Sequence, residues 1–295
     1  MKLFKGLALL SFSLLIFGSC FDPPEFPVVP QIEFERVEFI DSPDPSVVDS
    51  LNIYIHFKDG DGDLGLGDGD VSTPYNDVFF YQENNGTVQP LTITSGSVGQ
   101  YEIDLLEIPD PAKGKLVFDR TRNKPGYGFL PALDDLCPDY ERLGGAVDSK
   151  DPADAIGRRL LIRKTDRIVL DTLVKIVDSL VDENKDEYYQ IQDMLYFTPN
   201  QNHYNIEVDF LVKDPSAPGG FREFDWREEF CTTFDGRFPV FSDKLSSIEG
   251  TLRYSMTSLG FTSLFSIKTL KLRITIKDRA LNSSNTIETP EFTVI

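Results

Sequence analysis

The residues best suited to chemistry sit in one short stretch, KDGDGDLGLGDGD, residues 58–70, which sets five aspartates among five glycines. Carboxylates a few ångströms apart repel and raise one another's pKa, so such a cluster is costly unless a cation neutralises it. Aspartates at every second position, Asp59, Asp61 and Asp63, let successive side chains curl round one ion, and the glycines permit the positive φ angles of a tight loop. The donors are all oxygen, with no histidine or cysteine in the loop. That set suits Ca2+ better than a transition metal, and better than Mg2+, which keeps its waters. Gly60, Gly62 and Gly65 formally satisfy a G-x-G-x-x-G pattern. Aspartates between the glycines would repel a pyrophosphate, and no helix follows to receive one, so a dinucleotide site is excluded.

The same loop resembles the calcium loop of an EF-hand, with Asp59, Asp61 and Asp63 at its first, third and fifth positions and Asp70 at its twelfth. Leu64 stands where that loop has glycine, Asp70 is shorter than the usual glutamate, and a strand pattern precedes it. These departures make it similar instead to the calcium loops that extracellular β-proteins build at strand ends. The expected ligands are Asp59, Asp61, Asp63 and Asp70, with Asp68 and Asp77 as spare carboxylates for a second ion.

Catalysis finds little support. The two histidines, His56 and His203, both lie in strand-like patterns and read as structural. No nucleophile motif and no zinc spacing occurs. Paired carboxylates discriminate nothing in a chain with 48 acidic residues against 29 basic ones. The expectation is a protein without enzymatic activity, and the acidity disfavours nucleic acid as a partner.

The N-terminus predicts the compartment. Lys2 and Lys5 precede an apolar run over residues 7–17 and a small-residue approach to Cys20, which is a secretory signal too short to span a bilayer comfortably. Phe17-Gly18-Ser19-Cys20 resembles the bacterial lipobox, which implies removal of residues 1–19 and lipidation of Cys20. Residues 20–30, rich in proline, form a stiff tether. Asp22 and Glu25 resemble the acidic export signal of Bacteroidota surface lipoproteins, which implies an outer-membrane location on the cell surface or the periplasmic face. The other cysteines, Cys137 and Cys231, form a leftover pair in an oxidising compartment. A disulfide between them would constrain the unfolded chain by roughly 3–5 kcal/mol; the alternative is two buried thiols.

The elements that must position the aspartates read as strands. QIEFERVEFI, SLNIYIHF, DVFFYQ, DMLYFTP, HYNIEVDFLV, TLKLRITI and ETPEFTVI alternate or cluster β-branched and aromatic residues between Pro, Gly and Asx turns. Residues 153–187 are ambiguous between hairpin and helix, with a strand favoured over 158–169. Three strands close in Lys-Asp, at Asp59, Asp214 and Asp278. The ending KLRITIKDRALNSSNTIETPEFTVI resembles the last two strands of bacterial immunoglobulin-like domains, and the opening QIEFERVEFI…SLNIYIHF looks like the first two. The resemblance implies an all-β protein with an immunoglobulin-like β-sandwich, either one sandwich with a long insertion or two β domains. The expected division is a sandwich part over 31–140 with the Asp-rich loop, a connecting segment over 141–187, and a sandwich part over 188–295. In such a sandwich the second and penultimate strands end at the same pole. Asp278 would then approach the loop as a further ligand, with Asn282 as a companion, unless both only cap their hairpin turn.

Two functions follow. One is a non-catalytic, calcium-binding envelope lipoprotein, an accessory or scaffold subunit of an outer-membrane complex with a protein partner. The other is a surface carbohydrate-binding lipoprotein that stacks a glycan on Trp226 and the phenylalanines of residues 221–241. Exposure of Trp226 separates them.

Overall fold

The computed structural model describes residues 25–42, 48–84, 87–99, 101–107, 115–117, 140–143, 159–164, 176–191, 193–242, 244–258 and 260–294. The signal, Cys20 and Cys137 lie outside them. The described chain is predominantly β, as expected, and among the described residues no helix is long and apolar enough to cross a membrane.

Period-two patterning builds the two strands that matter most. In β2 (Asp49–Asp59), Leu51, Ile53, Ile55 and Phe57 face inward. β2 lies between β1 (Gln31–Ile40) and a late strand of the chain, and both pairings are antiparallel. Twelve strands intervene before that late strand, the first ten being β3 (Val78–Asn84), β4 (Thr87–Pro90), β5 (Thr92–Val98), β6 (Tyr101–Glu107), β7 (Lys115–Leu116), β8 (Tyr140–Leu143), β9 (Arg159–Arg163), β10 (Ile176–Val181), β11 (Glu187–Ile191) and β12 (Asp193–Pro199). There follow β13 (Ile206–Lys213), β14 (Phe221–Phe224), the short helix α1 (Trp226–Phe230), β15 (Ile248–Ser258), the short helix α2 (Phe261–Phe265), β16 (Thr269–Ile276), β17 (Ile287–Glu288) and β18 (Phe292–Thr293).

The chain ends supply two sheets. One has the order β1-β2-β15, and the other runs β14-β13-β16-β17 with β18 also on β16. A single core lies between them: Leu51, Ile53 and Ile55 of β2 and Leu252 and Met256 of β15 pack with Val208 and Phe210 of β13 and Leu272, Ile274 and Ile276 of β16. Apolar burial at about 25 cal/mol per Å² makes this shared core the chief force holding the sheets together. Phe210, Phe261 and Phe265 are fully buried in it, and truncating any of them to alanine costs about 3–5 kcal/mol.

The middle of the chain goes elsewhere. Strands β3 to β12 form two further sheets, β10-β11-β9-β6-β5 with a parallel β6–β9 pair, and β4-β3-β12-β8 with β7 on β3. They have their own core, including Phe80, Leu91, Ile93, Leu106, Ile162 and Ile191. Strands within 31–140 separate into both bodies, and 141–187, expected as a connection, contributes strands β9 and β10. β9 falls within the segment expected as strand over 158–169, and residues 165–175 are outside the described set.

Candidate metal centre

The inward phase of β2 does not stop at Phe57. Continuing two residues places Asp59 on the core side at the end of the strand, where it is 0 % exposed. In β16 the same phase runs through Leu270, Leu272, Ile274 and Ile276, and Asp278 follows it, 2 % exposed. The two strands belong to opposite sheets and end at the same pole, so their terminal aspartates meet across the end of the core. Asp63 joins them from the loop: Asp59, Asp63 and Asp278 each offer a carboxylate oxygen, all within 4.8 Å of one another.

The loop is held by backbone contacts as well as by charge. Leu64 is fully buried and bridges to Asp278, and Leu66 N–H donates to Phe238 O at 3.1 Å. The Asp63 carbonyl accepts the Arg279 amide at 3.3 Å and Arg279 Nε at 3.1 Å, so it is already engaged. Gly62 and Gly65 take φ of 73° and 98°, which side chains resist.

The electrostatics are those of a cluster that could hold a cation. Both carboxylate oxygens of Asp59 are buried without a hydrogen-bond partner, as are Oδ1 of Asp61 and Oδ1 of Asp63. Burial, then the neighbouring charges of Asp61 and Asp63, push the Asp59 carboxyl up to about 6. Burial, then Asp278 and Asp61, push Asp63 to about 6 as well. The Gly62 amide near Asp59 and the Ala280 amide and Arg279 near Asp63 offset this only in part. An unpaired buried carboxylate is costly, and a divalent cation among these oxygens removes that cost. The donor set, all carboxylate oxygen and within 4.8 Å, is one that could hold a hard cation.

The expected ligands separate on inspection. Asp59, Asp63 and Asp278 come together, and Asp61 stands beside them with a buried, unpartnered oxygen. Asp70 does not join them: its Oδ2 accepts the Gly67 amide at 2.7 Å and closes a turn. The physical reason is the burial of Leu64 and Leu66, which carries the chain into the core instead of round an ion. Asn282 is found in the capping arrangement. Its amide and Nδ2 donate to Asp278 at 2.7 and 2.8 Å, capping the turn and orienting the carboxylate towards the cluster. Asp214, the third Lys-Asp ending, caps a separate turn through Ser216. Asp68 is exposed, and Asp77 accepts the Val78 amide at 2.9 Å.

Arg237 was not singled out by its sequence context. Its Nη2 donates to the Gly67 and Asp70 carbonyls at 2.9 Å each and fixes the far side of the loop. His56 lies in β2 and contacts Glu249 at 3.0 Å, whereas His203 sits in a short 3-10 turn and not in a strand, its Nδ1 2.9 Å from the Tyr75 carbonyl.

The tryptophan of the aromatic segment proves to be core, although Phe230 and Phe241 of the same segment are exposed. Trp226 is 8 % exposed and meets Phe234, Phe224 and Phe210 edge to face at 4.6, 5.0 and 5.4 Å. The exposed stacking face needed to hold a sugar on Trp226 is absent. Cys231 follows α1 in the left-handed conformation, φ 53°, and its expected partner Cys137 lies outside the described residues. Compared with protein-family models, with curated proteins and with solved structures, the chain matches none.

Proposed function

We propose that this protein is a non-catalytic, lipid-anchored envelope protein whose β-sandwich is clasped at one pole by Ca2+, and that it serves as an accessory or scaffold subunit of an outer-membrane complex. One observation carries the reading: Asp59 is wholly buried with both carboxylate oxygens unpartnered, facing Asp63 and Asp278 from the opposite sheet. Asp59, Asp63 and Asp278 hold the ion, and Asp61 supplies a fourth carboxylate beside it. Ca2+ there neutralises the pole and ties the end of β2 to the end of β16, which stiffens the sandwich as a platform for a protein partner.

The immunoglobulin-like reading draws support from strand order. Taking β1, β2, β13, β14, β15, β16 and β17 in sequence, the first, second and fifth make one sheet and the others the second. This grouping supports a reading as the A-B-E and C′-C-F-G sheets of an immunoglobulin-like sandwich, with β3 to β12 inserted between B and C. The lipobox at Cys20 and the acidic residues after it support the anchor and the outer-membrane location. Burial of Trp226 favours the scaffold over the carbohydrate reading.

Fractionation tests the anchor and calcium-dependent melting tests the clasp. Cys20→Ser should release the protein from membranes. Chelation should lower the melting temperature of the wild type, and Mg2+ should restore it poorly. Membrane retention of the variant, or a melt indifferent to chelator, contradicts the corresponding half.

A further inference from the structure

Four segments reach the pole that carries the aspartates. β1 starts there, with Gln31 opposite Lys58; β15 starts there, with Ile248 opposite Asp59; and β2 and β16 end there. The chain just before β1 is pressed against the loop: a β-carbon on Gly60 would fall 2.3 Å from Phe26 O and 2.8 Å from Pro27 O. The chain just before β15 is pressed against it on another side, since a β-carbon on Gly62 would fall 2.2 Å from Ser246 O and 3.1 Å from Lys244 O. Glycine permits both approaches, so these two strips are seated directly on the loop.

Both strips carry exposed apolar side chains. Leu245 is 75 % exposed, Val28 54 %, Val29 42 %, and Phe241, stacked on Phe57 at 4.8 Å, 40 %. Exposure alone does not choose between the two poles, since Ile40, Val48 and Ile267 are exposed at the other one. Length of chain argues for this one. The described residues begin at Glu25 at this pole, and Cys20 is five residues upstream, so a lipid on Cys20 enters its bilayer within about 18 Å of Glu25.

We infer that this pole is the face the protein rests on the bilayer, with Leu245, Val28 and Val29 in the interfacial layer and the bound cation screening the aspartates from anionic headgroups. The inference rests on the anchor and cation readings above. Without the cation, Asp59, Asp61, Asp63 and Asp278 would be repelled by an anionic surface. Lys58 and Lys244 stand on the same side of the charge balance as the cation. Ile267, 95 % exposed in the turn before β16, lies at the opposite pole and should stay in water.

The full lipidated chain, reconstituted into vesicles of phosphatidylethanolamine and phosphatidylglycerol with brominated acyl chains, tests this. Leu245→Trp and Ile267→Trp place a reporter at each pole, and the native Trp226 supplies a buried background. In Ca2+ the fluorescence of L245W should be quenched several-fold more than that of I267W, and EDTA should abolish the difference. Co-flotation with equal or absent quenching at the two positions overturns the inference while leaving the anchor intact. A difference that persists in EDTA overturns the role given to the cation. Failure to co-float overturns the anchor reading and the inference together.

Discussion

Asp59→Asn should move the melting temperature in opposite directions with and without calcium. Asp59 has a folded pKa of about 6 against an ordinary 3.8, so the folded state prefers its protonated form. Its stabilising effect is complete below the unfolded pKa and is lost as pH rises through the folded one. At pH 7 without metal the ionised carboxylate therefore destabilises the fold by about 3 kcal/mol, two pKa units at 1.36 kcal/mol each. Asparagine carries no charge, and its amide can donate to Asp63 or Asp278, although a buried amide left short of partners returns about 1 kcal/mol of the gain. The variant should then be more stable than the wild type in EDTA by about 2 kcal/mol, or roughly 5 °C. In calcium the order reverses, because the wild type alone gains about 3 kcal/mol at a hundredfold excess over its dissociation constant. Melts followed by circular dichroism in EDTA and in calcium supply the four numbers. A variant that melts lower than wild type in EDTA and keeps its calcium response refutes the placement of Asp59.

Calcium affinity should fall as pH drops through about 6, since Asp59 and Asp63 must lose their protons to bind; an affinity unchanged between pH 7 and pH 5 contradicts the shared site. Asp70→Asn should leave the calcium response intact and cost about 1 kcal/mol from the weakened turn at Gly67, read from the same melts. Arg237→Ala removes two hydrogen bonds to loop carbonyls and should lower stability by about 1–3 kcal/mol in EDTA and calcium alike, checked by urea unfolding. Mass spectrometry of the unreduced protein after alkylation should find Cys137 joined to Cys231 and neither thiol labelled.

Much of the two sheets built from the chain ends was legible because their strands are half-buried and alternate cleanly. TLKLRITI reads inward at every second residue from Leu270, and that phase, extended two positions, already aims Asp278 at the core. The same extension in β2 reaches Asp59. Asp70 misled because counting along a loop assumes that the loop encircles one ion, whereas Leu64 and Leu66 turn into the core between Asp63 and Asp70. The aromatic run around Trp226 was ambiguous for a different reason: a short segment without period shows no inward face, and only the packing of Phe210, Phe261 and Phe265 from distant strands and helices decides its burial. The pairing of β9 with β6 joins residues far apart in sequence in parallel, and no local pattern specifies that register.

Isothermal titration of calcium into the chelator-stripped wild type and Asp278→Asn tests the central claim most directly, because Asp278 comes from the sheet opposite the aspartate loop. The account predicts saturable binding to the wild type and a loss of at least tenfold in affinity when Asp278 is neutralised. Absence of heat in the wild type, or equal affinity in both proteins, would contradict a cation held between the two sheets.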